Sequence, residues 1–290
     1  MKKLKYIIFL SIVFCSCTNS KQEGITQAAE QINDTIITIQ FDWTKVVDLK
    51  NNTLKELREK EKTNDKIIMD FLNKYVKLVD EFNGILFNLE NYDLLNDLFY
   101  ADENNISVFK NEVEANGFRL IFPEGMMEIS QNTNFIKTEI LPLLDAISIE
   151  FLNLYCNEFD NICCDDAAII ISKEELISRI LKWGELSKKV TKLEYKKYVE
   201  DKFYGGLYLL FCGADNTPAF DWKTDDYETQ KYNSEAIDLM KKIITENPTS
   251  RAANEFKPFI ELLENENFEE TQKVKDYLKR KFSHFFDTKD

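Results

Sequence analysis

The side chains able to do covalent or acid–base chemistry are few and unevenly placed. Of six cysteines, Cys15 and Cys17 sit near the N-terminus, while Cys156, Cys163, Cys164 and Cys212 lie far inside the chain. The single histidine is His284, so an imidazole-activated serine or cysteine nucleophile would have to be built around it. His284 stands beside Phe285 and Phe286 at the end of the last helical stretch, where a helix dipole favours a cation, and this structural role accounts for it. No glycine-rich phosphate loop or dinucleotide fingerprint occurs, and Gly205-Gly206, inside an apolar helical stretch, reads as a point of close helix contact. The acidic turn of Glu158, Asp160, Asn161, Asp165 and Asp166 is rich in oxygen atoms. It lacks the spaced ligands and central glycine of a calcium loop and reads as a solvated turn. The residues thus assign no catalytic group, metal or cofactor, and leave carboxylate-dependent hydrolysis as an alternative, since a working pair of acids is a matter of geometry.

Two further groups bear on function. Asp215-Asn216-Thr217-Pro218 is followed closely by Phe220, Trp222 and Tyr227. Aromatic rings beside amide and carboxylate groups can stack on sugars or receive a peptide, so Asp215, Asn216, Trp222 and Tyr227 are the candidate ligand-binding residues. The competing reading tucks Phe220 and Trp222 into the core and uses Asp215 or Asn216 to close a helix end. Cys156, Cys163, Cys164 and Cys212 are even in number, and in an oxidising compartment they are candidates for disulfide bonding. Bonding between neighbours Cys163 and Cys164 is sterically unfavourable, which would pair one of them with Cys156 and the other with Cys212. Buried free thiols are the alternative.

The compartment is written in the first residues. Lys2, Lys3 and Lys5 precede an apolar run from Tyr6 to Phe14, then Cys15, the small Ser16 and Cys17. The run is too short to span a bilayer stably, and the small residue admits a peptidase. This segment resembles a bacterial lipoprotein signal peptide. The resemblance implies cleavage after Ser16, a lipid on Cys17 and attachment to the membrane through that lipid alone. Thr18, where inner-membrane retention would be marked by Asp, implies the outer membrane. Ser20-Lys21-Gln22-Glu23 resembles, with only one acid, the export tag of surface lipoproteins in Bacteroidota, so the face of the membrane stays open. Removing residues 1–16 leaves 274 of the 290 residues, enough for a sizeable core. The whole chain carries −14, and loss of the three leader lysines leaves −17. So acidic a surface repels phosphate backbones, which argues against nucleic acid as a partner.

The elements that would position these groups are mainly helical. Residues 18–34 are polar and read as a tether, and Ile37, Ile39 and Phe41 alternate with Thr38 and Gln40 as an extended segment. Thr53 to Lys62 predicts an exposed helix. From Asn64, apolar residues at Ile67, Phe71, Tyr75, Leu78, Phe82, Leu86 and Leu89 step by four or three along one face. Gly84 within that stretch predicts close packing of another helix. Helices near 92–100 and 106–115 follow, the second closed by Asn116-Gly117. Phe118 to Ser130 reads as a β-hairpin about Pro123-Glu124-Gly125, and it is the expected boundary between an N-terminal region, 35–116, and a C-terminal region, 117–290. Residues 134–156 return to helix, with Pro142 as a kink or a new start.

Ser172 with Glu175, and Thr191 with Glu194, both read as capping boxes opening helices at about 173–188 and 192–212. Helices from Ser234 to Glu246, from Ser250 across Pro258, and from Asn267 through Phe286 complete the chain. The pair around Asn247-Pro248-Thr249-Ser250, and the earlier pair joined near Val190-Thr191, resemble tetratricopeptide-type helical repeats over roughly 173–265, without that family's usual Trp, Gly and Ala positions. The stretch from the Gly117 hairpin through Gly213-Ala214-Asp215-Asn216-Thr217-Pro218 also resembles a helical domain of unassigned activity in secreted bacterial proteins. The expected fold is mainly α, with stacked antiparallel helix pairs and one short β-hairpin near 118–130. The expected role is a lipid-anchored envelope module that binds a protein or peptide without catalysis. Surface glycan capture and a carboxylate-dependent hydrolase are the alternatives.

Overall fold

The computed structural model describes residues 41–59, 63–90, 92–101, 106–191, 193–221 and 230–283. The leader with Cys17, the tether, the extended segment up to Gln40, Trp222, Tyr227 and His284 all lie outside the described residues. The described chain is mainly α, and its strands occur only as short antiparallel pairs. No described helix is long and apolar enough to cross a membrane. The chain forms two compact units, which change over after Ile140, with Thr63–Lys66 belonging to the second.

In the first unit, α1 spans Thr44–Glu59, α2 Asn64–Phe87, α3 Tyr92–Ala101 and α4 Ser107–Ala115. Helix α1 starts well before the expected Thr53. The face predicted for α2 is the face buried, with Ile67, Phe71, Tyr75, Leu78, Phe82 and Leu86 all in the core. Gly84 has open space where a side chain would stand, so the close helix contact expected there is not what places it. Aromatic rings fill the centre. Phe82 meets Phe41, Trp43 and Phe118 with centroids 5.1, 5.0 and 5.3 Å away. The Trp43 indole donates to Glu112, 2.7 Å away.

The hairpin forms as read, with β1 at Phe118–Ile121 and β2 at Glu128–Gln131 in antiparallel register. A lone hairpin is marginal in water, and this one leans on side chains of two helices. Asn83 donates to the Ile129 carbonyl at 2.9 Å and accepts from the Ile129 amide at 2.7 Å. Two residues away, the Met127 carbonyl accepts from the Tyr92 hydroxyl and the Met127 amide donates to Asn96, each at 2.9 Å. These bonds give the physical reason that the hairpin belongs with the helices before it, not with the region after residue 117.

In the second unit the expected 134–156 helix is broken at Pro142. A π turn, Ile136–Ile140, closes the first unit, a 3-10 turn covers Leu141–Leu143, and α5 runs from Ala146 to Asp160. Helices α6 at Lys173–Lys189 and α7 at Lys196–Cys212 form one antiparallel pair, and α8 at Ser234–Glu246 and α9 at Arg251–Asn265 form the next. Helix α6 also packs against α5, α8 and α9. Helix α10, Gln272–Lys281, opens at a Thr271 cap, later than the expected Asn267. Asn267 and Phe268 instead hold left-handed backbone, with φ of 54° and 61°.

One predicted cap forms in half and one not at all. Ser172 accepts from the Glu175 amide at 3.2 Å, but the Glu175 carboxylate turns to Arg179. Thr191 does not open α7, which begins at Lys196 without a side-chain cap. The Glu194 amide donates instead to Asp65, at 2.9 Å. Asp145 caps α5 by accepting from the Ser148 amide at 2.9 Å and from Asn64 at 2.7 Å, while Tyr195 donates to the Ser148 hydroxyl at 2.8 Å. The turn before α7 is thus fixed by residues distant in sequence.

Two predictions follow from these placements. Gly117 has φ of +90°, where a residue with a Cβ is strained, and a Cβ there would also meet the Lys50 amine. Gly117→Ala should cost about 1–2 kcal/mol in denaturant unfolding. Burial pushes the Asp65 carboxyl up, but bonds from Thr63 and the Glu194 amide outweigh it, and the pKa is held below the usual 3.8. At Asp145 burial is likewise outweighed, by the Ser148 amide and Asn64. The stability these groups contribute is complete above their unfolded value of 3.8. It is lost as the pH falls from there through the lower folded value. Melting scans across that window should show a fall in melting temperature that is shallower in Asp65→Asn, whose side chain stays uncharged throughout.

Candidate functional site

The cavity that gathers the most chemistry lies in the second unit, along α6 and α7 beside the end of α5. Its volume is about 400 Å³ and its walls include Glu158, Cys163, Arg179, Trp183, Gly205 and Tyr208. The two helices pack closely at two glycines. A Cβ at Gly184 would lie 2.9 Å from the Phe203 ring, and one at Gly206 would lie 2.8 Å from Ile180. Gly206 is therefore the close contact expected of the glycine pair. Gly205 is not, because nothing stands within 4 Å of its missing Cβ. It leaves a gap in the wall of the cavity where most residues would project a side chain.

That wall holds a charge network. Arg179 is 4% exposed, yet it lies on the apolar stripe of α6 among Leu176, Ile180 and Trp183. Its guanidinium donates to Glu175 at 2.9 Å, to the Asn161 carbonyl at 2.8 Å and to Glu158 at 3.4 Å. Glu158 also accepts from the Trp183 indole at 3.0 Å. Arg179 thereby ties the C-terminus of α5 to α6, where a cation complements the helix dipole. Its hydrogen bond holds the Glu175 carboxyl below the usual range. Of the acidic turn, Glu158 serves Arg179 and Trp183 with its carboxylate. Among the described residues, no three His, Cys, Asp or Glu side chains converge as a metal site.

The four interior cysteines all stand as thiols, Cys156 buried and Cys163, Cys164 and Cys212 half-buried, and the pairing expected with Cys156 and Cys212 is not formed in this structure. Burial pushes the Cys163 thiol up to about 12, helped by Cys164 and opposed by Arg179. Burial does the same at Cys212.

The loop from Asp215 to Tyr227 divides. Asp215 is exposed. Asn216 donates to the Asp166 carbonyl at 2.6 Å, and its amide donates to Ala167 at 3.0 Å. Thr217 accepts from the Ile169 amide at 3.1 Å. Asn216 thus clamps the hairpin of β3, Cys164–Asp165, and β4, Ala168–Ile169. That hairpin turns through Asp166 and Ala167 at φ of 45° and 53°, a strained conformation for residues with a side chain. Phe220 is core, with its ring 5.1 Å from that of Tyr232. Of the aromatic trio, then, Phe220 follows the structural reading, while Trp222 and Tyr227 fall outside the described residues.

Sequence reading missed Arg179 and gave Gly205 the close-contact role that Gly206 holds. The signal for Arg179 was available: a lone cation on the buried face of α6, one turn from Glu175. Gly205 carried no signal, because spacing alone does not tell which of two adjacent glycines touches the neighbouring helix. In comparisons with known proteins, the chain matches no family model, no curated protein and no solved structure.

Two substitutions separate these roles. Arg179→Met removes the partner of the largely buried Glu158 and should cost ~3 kcal/mol in chemical denaturation. Gly205→Ala meets no neighbour and should leave stability unchanged or raise it by up to about 1 kcal/mol.

Proposed function

We propose that this is a lipid-anchored protein of the bacterial cell envelope, held at the outer membrane through Cys17, whose folded part binds a protein or peptide without catalysis. The anchor rests on the leader sequence, with its three cations, apolar run and Ser16-Cys17. The observation that carries the binding reading is Gly205. A helix-interior glycine destabilises by up to about 1 kcal/mol relative to alanine, packing does not require this one, and its effect is to open the cavity along α7. The surrounding chemistry suits recognition. Glu175, bonded to Arg179 of the cavity wall, has its carboxyl pKa displaced downward by that bond, which serves ion pairing. Stacked helix pairs supply a rigid frame for such a groove.

Labelled palmitate fed to a bacterial host should be incorporated into the native protein and be lost in Cys17→Ser, which should leave the detergent phase. Label retained in Cys17→Ser would overturn the anchor. For the groove, the lipidated protein in vesicles is used to capture envelope polypeptides, and each recovered species is titrated against purified protein. Gly205→Leu should melt no lower than the parent yet bind at least about tenfold more weakly, a loss of about 1.4 kcal/mol. Equal binding by both proteins would reject the groove, and retention of polysaccharide alone would move the reading to glycan capture.

A further inference from the structure

Cys163 and Cys164 are half-buried thiols on a hairpin whose geometry sets them apart from the other cysteines. Cys163 and Cys164 are neighbours in the chain, so no segment has to move to bring them together. The Cys163 carbonyl accepts from the Ile170 amide at 2.9 Å, and Cys164 pairs with Ile169 across the ladder, so both cysteines are held in place by the opposite strand. The turn between those strands is the strained Asp166-Ala167 pair, and it persists because Asn216 binds both of its carbonyls. Exposed Ile162 and Ile170 flank the thiols, and Cys163 reaches the cavity wall beside Arg179.

We propose that Cys163 and Cys164 form a redox-active dithiol that closes reversibly to a disulfide between neighbours by exchange with a disulfide oxidant. In the first step the Cys164 thiolate attacks one sulfur of the oxidant, forming a mixed disulfide and releasing one thiol. In the second, Cys163 gives up its proton and attacks the Cys164 sulfur, forming the Cys163–Cys164 bond and releasing the second thiol. The protein loses two electrons and two protons, which leave with the two halves of the reduced oxidant.

The order of attack follows from the surroundings. Burial holds the proton on Cys163, but part of the hold comes from the neighbouring thiol, while Arg179 acts against it. Cys163, whose proton is held, is therefore the second thiol to react. Adjacent Cα atoms are about 3.8 Å apart, closer than the usual range of about 4.4–6.8 Å across a disulfide. The bond is therefore strained and readily reduced, the property of a labile disulfide and not of a permanent staple. This proposal stands whether or not the groove binds a peptide.

The test equilibrates the full lipidated protein with mixtures of oxidised and reduced glutathione, traps free thiols with iodoacetamide and maps the cysteines by mass spectrometry. Cys163 and Cys164 should escape alkylation together, on one peptide two hydrogens lighter and without retained glutathione, and should return to the alkylated form as reduced glutathione is raised. In Cys163→Ser, with nothing to resolve it, a glutathione adduct should persist on Cys164. The proposal is overturned if both thiols remain open to alkylation at the most oxidising mixture. It is equally overturned if either is found bonded to Cys156 or Cys212, or if Cys163→Ser gains no adduct.

Discussion

Two missing Cβ atoms govern the second unit. Gly184 on α6 faces the Phe203 ring of α7, and Gly206 on α7 faces Ile180 of α6. With a side chain at either position, the facing Phe203 ring or the Ile180 side chain would have to shift. Helix α6 is also the element against which α5, α8 and α9 pack, so displacing it would disturb every layer. Beside that contact, the buried Arg179 and Trp183 side chains need partners among protein atoms. They are satisfied by one carboxylate, a second carboxylate and a helix-terminal carbonyl.

The same pair of helices is joined to the next by a different device. Arg251, at the start of α9, makes a two-pronged ion pair with Glu200, both contacts under 3 Å, and lies 4.3 Å from the centre of the Phe203 ring. Its planar head satisfies the carboxylate edge-on and the ring face-on at once, which a lysine could not do. Phe203 is thus held between Gly184 on one side and Arg251 on another. The antiparallel pairs stack through specific polar anchors as well as through apolar surface.

How much of this was legible depended on the range of the interaction. The apolar face of α2 and the hairpin at Phe118 were written in local spacing, and so was the Ser172 cap, because each needs only neighbours within a turn or two. Two of the gaps share a cause. Thr191 looked like a cap, but the amide of Glu194 that it would have helped satisfy is claimed by Asp65, more than a hundred positions away. Asn216, a candidate ligand contact, also closes a turn fifty residues earlier, a role that local spacing does not show. In both places the partner is one that sequence separation hides. The strand pairs after α5 were missed for a different reason: they are two residues long and carry no alternation to detect.

The hairpin of the first unit has a bearing on how copies of this chain behave when crowded. A two-stranded ribbon has two outer edges, and an edge with unused amides and carbonyls is a template on which another chain can add. Along β2, and at Met127 just before it, those positions are occupied by Asn83, Tyr92 and Asn96. Three helix side chains stand in for a missing third strand. A neighbouring molecule approaching that edge would find its hydrogen-bonding positions already taken, so that edge is closed to fibre growth even where the local concentration is high.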